Sequence, residues 1–278
     1  MTAARLLLAA AARRLHAVGV ASPRVDAELL LAHCLGLDRG SLPLLGDVGP
    51  AGEAAFDAAL ERRAGREPLQ HIVGHAPFRH VEVAVGPGVF VPRPETELLV
   101  DAVLPTLRAT NSPVAVDLCA GSGALALAVA NEVPGSRGYA VERSEQALTW
   151  LRRNTAGSGV EVVAADVCDP DLLVALRATV DAVLCNPPYV PAAVPVAPEV
   201  RADPEEAVFA GADGLALMPA VVERSGELLR SGGIAVIEHD DTHGEALPQL
   251  LRVHGGWRDI VAHLDLSGRP RYVTAVRR

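Results

Sequence analysis

The N-terminal quarter of the chain carries apolar residues at helical spacing. A first amphipathic helix is indicated by Leu6, Leu7, Leu8, Leu15 and Val18. Ser22 and Pro23 stand where an N-cap and a first helical residue are expected, and this second helix continues to Gly36. A third helix is predicted over residues 51–64. The pattern predicts a small, separate helical domain over residues 1–75.

Alternating valines replace this pattern after Phe78. Apolar residues occupy every second position in two short runs: Val81, Val83 and Val85, then Val89 and Val91. Between the runs stands Gly86-Pro87-Gly88, a turn sequence. We therefore predict a β-hairpin with its turn at these glycines, which links the two halves of the chain over residues 76–92.

Beyond Pro94, apolar runs of strand length alternate with helical stretches. Seven strands are predicted, at residues 114–118, 138–141, 160–164, 182–185, 234–238, 260–264 and 272–276. Helices are expected between the first five. Strands separated by helices indicate βαβ units, so the fold class is α/β, with a largely parallel Rossmann-like sheet of seven strands over residues 93–278.

Composition and charge narrow the functional classes. The chain has 278 residues, of which 50% are hydrophobic, and a formal net charge of −9. This acidity makes general nucleic-acid binding less expected, since such binding requires clustered basic residues. The four cysteines, Cys34, Cys119, Cys168 and Cys185, lack CxxC spacing, so we expect free thiols in a reducing cytoplasm and no metal site. No apolar run reaches the ~20 residues that span a membrane.

The strongest local signal is a glycine-rich turn that follows the first predicted strand of the sheet. It consists of Cys119, Ala120, Gly121, Ser122 and Gly123. Glycine allows the backbone to approach a ligand closely, where a Cβ atom would clash. Ala126 occupies the place of a third glycine, so the turn alone also fits a simple tight turn. In this context we predict that these five residues bind a nucleotide-like cofactor.

Acidic residues end the next two predicted strands. Glu142 lies about 20 residues after the glycines, where a carboxylate can accept hydrogen bonds from both hydroxyls of a ribose. Asp166 ends the third strand and can bind an adenine amino group, while Val167 offers an apolar contact and its backbone N–H. These residues also permit NAD, and the end of the fourth strand argues against that cofactor.

The fourth strand ends in Asn186-Pro187-Pro188-Tyr189, the most specific motif in the chain. At the carboxyl end of a parallel strand it is expected beside the cofactor, so Asn186 is assigned to both sites. The Asn186 side-chain oxygen and the Pro187 carbonyl can accept the two N–H groups of a planar amide or amine. Pro188 fixes the loop, and Tyr189 can pack its ring against the planar group. We assign the catalytic role to Asn186, Pro187 and Tyr189.

Such a nitrogen is a weak nucleophile, whereas a sulfonium methyl donor is a strong electrophile. Positioning and dipoles aimed at the developing positive charge are therefore sufficient for catalysis. The sequence thus favours an S-adenosylmethionine-dependent methyltransferase, whose product is S-adenosylhomocysteine.

These motifs resemble those of the class I S-adenosylmethionine-dependent methyltransferases. Within that class the chain is similar to the peptide chain release factor glutamine methyltransferases over nearly its whole length. The resemblance rests on the glycine turn and on residues 23–30, 68–74, 91–97 (Val-Pro-Arg-Pro-Glu-Thr-Glu), 186–189, 205–215 and 265–271. Asp240 and His243 stand where the family usually has other residues. We interpret Arg93 and Glu95 as a structural pair.

The resemblance implies methylation of the glutamine amide in the Gly-Gly-Gln sequence of translation release factors. It implies that residues 186–189 hold the glutamine and that the helical domain contacts the release factor. It also implies a cytoplasmic enzyme with no stable nucleic-acid or membrane partner.

Other functions remain open at this stage. An adenine amino-group methyltransferase acting on DNA or RNA could use the same loop on a flipped base. A non-catalytic binding module could retain the fold. A dehydrogenase is a more distant possibility.

Overall fold

The computed structural model describes residues 2–278. The chain forms two compact units: the first contains the residues up to His75 together with Val196–Ala202, and the second contains Ala76–Pro195 and Asp203–Arg278. The first unit is therefore discontinuous in sequence. No helix within residues 2–278 is long and apolar enough to cross a membrane.

The first unit is built from helices around an aliphatic core. Its elements are β1 (Thr2–Ala3), α1 (Ala4–Ala17), α2 (Pro23–Leu35), β2 (Asp47–Val48), α3 (Pro50–Ala64) and α4 (Leu69–Val73). The three predicted helices are confirmed. Pro23 is the first residue of α2, as predicted, but the Ser22 side chain makes no capping hydrogen bond. Leu15, Leu30 and Phe56 are almost completely buried where the helices meet.

A cluster of ion pairs joins the Val196–Ala202 segment to α2 and α3 of this unit. Arg63 donates to Asp26 at 2.8 Å and pairs with Glu199 at 2.9 Å. Arg66 binds both carboxylate oxygens of Glu199 at 2.7 Å. Burial opposes ionisation of Glu199, but hydrogen bonds from Arg66 and Arg63 outweigh it and lower the pKa of Glu199 to about 2.

The second unit contains the seven-stranded sheet. Its strands are β5 (Val114–Leu118), β6 (Arg137–Glu142), β7 (Glu161–Ala164), β8 (Val180–Cys185), β9 (Leu229–Glu238), β10 (Trp257–Leu264) and β11 (Pro270–Arg277). The spatial order is β10-β11-β9-β8-β5-β6-β7. The strands from β9 to β7 run parallel, and β11 is antiparallel to both β9 and β10. All seven predicted strands are confirmed.

Helices cover both faces of the sheet. They are α5 (Glu97–Arg108), α6 (Ala124–Glu132), α7 (Glu145–Thr155), α8 (Glu205–Val208), α9 (Met218–Leu228) and α10 (Ala246–His254). Every residue of the central strand β8 is buried, because parallel strands are covered on both sides. The prediction of a helix between β7 and β8 is wrong. This stretch holds only the 3₁₀ turn Val174–Leu176, and Pro170 and the positive φ of Leu173 and Ala178 interrupt regular helix.

The predicted hairpin exists, but its position is wrong. It pairs β3 (His75–Phe78) with β4 (Val81–Ala84), so the turn falls at Arg79 and His80 and not at the Gly-Pro-Gly sequence. Arg79 adopts a φ of 51°. Its backbone N–H donates to Glu97 at 3.0 Å and its guanidinium binds Glu132 at 2.5 Å. These long-range bonds hold a backbone conformation that an arginine alone disfavours.

Candidate active site

The site lies at the carboxyl edge of the parallel strands. Leu118, the last residue of β5, is in register with Val141 of β6 on one side and with Cys185 of β8 on the other. The residues that follow these strands must therefore emerge side by side. This register brings the glycine turn, Glu142 and Asn186 to one cavity.

The glycine turn after β5 combines three left-handed residues, Cys119, Gly121 and Gly123, with φ of 61°, 55° and 85°. A Cβ atom on Gly121 would meet nothing within 4 Å, so this residue faces open space at the cavity wall. Gly123 has a different role from the predicted one. Its Cβ would lie 2.6 Å from Leu151 Cδ1, so Gly123 allows α6 to begin against α7 and does not line the cavity.

Glu142 ends β6 and holds the glycine turn in place. Its Oε2 accepts a hydrogen bond from the Gly121 N–H at 2.8 Å. Its Oε1 accepts from the Arg143 and Ser144 N–H groups, each at 2.8 Å. Glu142 therefore shapes the turn with which it shares the cavity. This second task was not expected from the sequence.

Asp166 and Val167 follow β7 and also line the cavity. Asp166 Oδ1 accepts from the Cys168 N–H at 2.8 Å, and Oδ2 pairs with Arg143 at 3.2 Å. The hydrogen bond from Cys168 and the Arg143 charge hold the pKa of Asp166 below its usual value. Val167 is buried. An ionised acceptor and an apolar contact thus stand together at this strand end.

The cavity brings together most of the residues predicted to bind the cofactor. Those on its wall are Cys119, Ala120, Gly121, Ser122, Glu142, Asp166, Val167 and Asn186. Sequence reasoning missed Phe90, Pro92 and Thr96, which also line the cavity. They precede α5 and follow no parallel strand, so the strand-end rule could not find them. Residues 91–97 nevertheless stand out as a motif, and that was the available signal.

The Asn-Pro-Pro-Tyr loop follows β8, and its four side chains separate in two directions. Asn186 and Pro188 line the cavity. The Asn186 amide nitrogen donates to Thr96 Oγ1 at 3.1 Å, which leaves Oδ1 as the other polar atom of this side chain. Pro187 is buried.

Tyr189 turns inward, in contrast to the ring contact with substrate that the sequence predicted. Its hydroxyl donates to Glu238 Oε1 at 2.9 Å, and its ring packs against the buried cluster that includes Val116 and Val183. Burial and the neighbouring Glu238 charge raise the pKa of Tyr189 well above its ordinary value. The Tyr189 side chain therefore stabilises the loop through contacts with the protein core.

Glu238 is 1% exposed at the end of β9. Burial raises its pKa to about 7, while the hydrogen bond from the Tyr189 hydroxyl and the Arg271 charge oppose this rise. Arg271 itself pairs with the buried Asp265 at 3.0 Å. A buried carboxyl group thus accepts a hydrogen bond from the last residue of the loop.

The segment after Tyr189 is fixed by residues 208–214. Val190 bridges to Phe209, and a Cβ on Gly214 would lie 2.2 Å from the Tyr189 carbonyl oxygen. His243 Nε2 lies 2.8 Å from the Asp213 carbonyl oxygen, within hydrogen-bond distance.

Asp240 and His243, which depart from the family pattern, both have structural contacts. Asp240 accepts from the Thr242 N–H at 3.0 Å and starts the 3₁₀ turn Asp241–His243. The same turn carries His243 to the Asp213 carbonyl.

The sequence suggested that Arg93 pairs with Glu95. In the structure, Arg93 pairs with Asp203 at 2.5 Å instead. Asp203 Oδ1 also accepts from the Val91 N–H at 3.1 Å, and the Arg93 guanidinium lies 4.8 Å from the centre of the Phe90 ring. Because Phe90 lines the cavity, Arg93 supports one wall of the site.

Comparison with known proteins places this geometry in a family. A family model described as the PrmC N-terminal domain matches residues 7–74, and one described as the methyltransferase small domain matches residues 81–199. A release factor glutamine methyltransferase from Mycolicibacterium smegmatis is 49% identical over 278 residues, which covers 100% of this chain and 99% of that protein. One from Streptomyces coelicolor is 48% identical over 279 residues and covers 96% of each.

Among solved structures, a 16S rRNA methyltransferase from T. thermophilus in complex with AdoMet and guanosine superimposes with a TM-score of 0.51. The match covers 73% of this chain and 50% of that one, at 20% sequence identity. This likeness supports the class I methyltransferase fold of the second unit.

Proposed function

The chain belongs to the release factor glutamine methyltransferase family, and on this premise we propose how its site acts. S-adenosylmethionine is the methyl donor. The acceptor is the side-chain amide nitrogen of the glutamine in the Gly-Gly-Gln sequence of a translation release factor. One observation carries this proposal: Asn186 lines the same cavity as Gly121 and Glu142, with its amide nitrogen already bound by Thr96.

The chemistry of the cavity fits the donor. Gly121 leaves open space beside the turn, Glu142 offers a carboxylate for ribose hydroxyls, and Asp166 with Val167 offers an acceptor and an apolar wall for adenine. Cys119, Ala120 and Ser122 complete the turn. When bound, the sulfonium supplies an electrophilic methyl group. Gly123 contributes by letting α6 begin close to α7.

The residues of the Asn-Pro-Pro-Tyr loop position the nucleophile. Asn186 Oδ1 and the Pro187 carbonyl oxygen accept the two N–H groups of the glutamine amide. Both dipoles then point their negative ends at the nitrogen on which positive charge develops. Pro188 restricts the loop, and Tyr189 holds it from behind through Glu238. No strong base is required, and the proton leaves to water after transfer.

The first unit is proposed to recognise the release factor, in agreement with the family model that matches residues 7–74. The hairpin and residues 93–278 then form the catalytic part. We further propose a cytoplasmic enzyme without stable nucleic-acid or membrane partners, which the net charge of −9 supports. The names of the relatives do not favour the adenine alternative.

Transfer of labelled methyl from S-adenosylmethionine to a purified release factor tests the proposal. The matched control is the same factor with Gly-Gly-Ala in place of Gly-Gly-Gln. We expect label on the first protein and none on the second. Equal labelling of both would refute the assigned acceptor. Absence of label from both, with cofactor binding intact, would refute the activity.

A further inference from the structure

Residues 265–271 are one of the segments that resemble the family, yet none of them lines the cavity or belongs to the Asn-Pro-Pro-Tyr loop. They form the turn between β10 and β11 and the first residues of β11. Near the tip of this turn, Leu266 is 97% exposed, and Leu264 at the end of β10 is also exposed. A single exposed leucine is common in proteins. The turn that carries Leu266 and its place in the fold distinguish this one.

A network of hydrogen bonds holds the turn in one conformation. Asp265 Oδ1 accepts from the Ser267 N–H at 2.8 Å and from the Arg269 N–H at 3.1 Å. The Asp265 N–H donates to the Arg269 carbonyl at 2.7 Å and closes the turn. The Asp265 side chain is buried, and its Oδ2 accepts from Arg271 at 3.0 Å. The fold itself therefore holds Leu266 in its exposed position.

The turn lies at the carboxyl edge of the parallel strands, as the site does. Because β11 is antiparallel to β9, its first residues stand beside the last residues of β9, and Tyr272 pairs with Glu238. The Arg271 carbonyl accepts from the His239 N–H at 2.9 Å. Glu238 accepts in turn from the Tyr189 hydroxyl. Only β9 separates β11 from β8, so these two strands are about 10 Å apart.

The charges of the turn indicate which kind of partner fits it. Arg269 pairs with Asp241 at 3.7 Å, and Arg271 pairs with Asp265. These charged side chains already have partners, so the exposed leucines are the groups available to another molecule. A protein whose glutamine enters the cavity must also cover the edge of the sheet around it, because a whole protein is far larger than the cavity. An apolar surface close to that glutamine is therefore the partner that the turn fits.

We propose that Leu266, together with Leu264, is a docking surface for the protein substrate, and that an apolar patch beside the Gly-Gly-Gln sequence of the release factor covers it. This inference rests on the proposed function and adds a contact outside the cavity. Burial of these leucines stabilises the enzyme–substrate complex before and during methyl transfer alike. Such a contact lowers KM and leaves kcat unchanged.

Leu266→Ser tests the inference, because a side chain that is 97% exposed can be replaced without loss of core packing. We expect the KM for a purified release factor to rise roughly 10- to 100-fold, the equivalent of burying one leucine. The kcat, the dissociation constant of S-adenosylmethionine and the midpoint of thermal unfolding should match those of the wild type. Leu266→Met keeps an apolar side chain of similar size and should hold KM within about twofold.

Val253→Ser is the matched control. Val253 is 74% exposed near the end of α10, which leads from the carboxyl end of β9 to Trp257 at the start of β10. Trp257 pairs with Arg277, the last residue of β11, so Val253 lies at the opposite edge of the sheet. This variant loses an exposed apolar side chain as well, and its KM should equal that of the wild type.

An unchanged KM for Leu266→Ser would overturn the inference, and so would a fall in kcat alone, which would indicate an effect on the chemical step. Sedimentation velocity tests the other occupant, a second copy of the chain. A wild-type dimer that Leu266→Ser dissociates without a change in KM would also overturn the inference. Failure of the wild type to label the release factor would instead refute the proposed function.

Discussion

Replacement of Glu142 by Gln is the sharpest test of the cofactor site, because the change removes charge and one acceptor at constant size. The carboxylate accepts from Gly121 through Oε2 and from Arg143 and Ser144 through Oε1. A glutamine has one acceptor oxygen. If this oxygen keeps the two hydrogen bonds from the Arg143 and Ser144 N–H groups, the glutamine NH₂ group must face the Gly121 N–H, and two donors then meet. The glycine turn then loses the hydrogen bond from Gly121 that holds it to the end of β6.

The magnitude follows from these contacts. Loss of the anionic acceptor for the ribose hydroxyls costs about 1–3 kcal/mol of binding free energy, the scale of a hydrogen bond to a charged group. At 1.4 kcal/mol for each tenfold change, the dissociation constant of S-adenosylmethionine should rise roughly 5- to 150-fold. Glu142→Ala should weaken binding on the same scale. Isothermal titration with S-adenosylmethionine and with S-adenosylhomocysteine at one pH measures both variants directly.

Glu145→Gln serves as the control, since Glu145 is an exposed acid in the first turn of α7, three residues beyond Glu142. It removes the same charge without touching the glycine turn. We expect its affinity to match that of the wild type. A dissociation constant for Glu142→Gln within twofold of the wild type would remove Glu142 from the site and refute the reasoning.

Three other contacts can be tested by substitution. Asn186→Ala should abolish turnover and leave cofactor affinity within a few-fold, and near-normal turnover in the transfer assay would contradict the positioning mechanism. Gly123→Ala should lower the midpoint of thermal unfolding, because its Cβ would lie 2.6 Å from Leu151 at a φ of +85°, whereas Gly135→Ala (φ +86°), which meets no neighbour, isolates the backbone strain. Burial raises the pKa of Glu238 to about 7 from 4.5, so the folded state binds this proton more tightly than the unfolded chain. The resulting stability, about 3 kcal/mol, is complete below pH 4.5 and is lost as the pH rises through 7. Denaturant unfolding from pH 4 to 9 should therefore show a shallower decline for Glu238→Gln, and parallel curves would refute the assignment.

The sheet and one wall of the site could be predicted from the sequence, and the reason is physical. Each parallel strand is buried on both faces and reads as an apolar run, and its carboxyl end meets those of its neighbours at one edge. Residues such as Glu142, Asp166 and Asn186 could therefore be placed together from the order of strands and motifs along the chain. The same rule assigned Gly123 to the cavity, although it faces α7.

The remaining features depend on contacts between residues far apart in sequence. The hairpin turn sits at Arg79 because Glu97 and Glu132 hold it there, and local turn preference favoured the glycines instead. Tyr189 points inward because Glu238 lies behind it, and Asn186 is oriented by Thr96, 90 positions earlier in the chain. No local pattern of one sequence encodes such pairings.

The discontinuous first unit has a consequence for how the protein is made. A ribosome releases the chain from its N-terminus, so Arg63 can meet Asp26 while the sheet is still unsynthesised. Glu199, which Arg66 binds 133 positions later, emerges only after β8 and the reaction loop. The nascent helical unit therefore lacks the carboxylate that binds Arg66 until residues 196–202 have been synthesised. We expect a protease to cleave this unit faster in a chain stalled before residue 199 than in the finished protein.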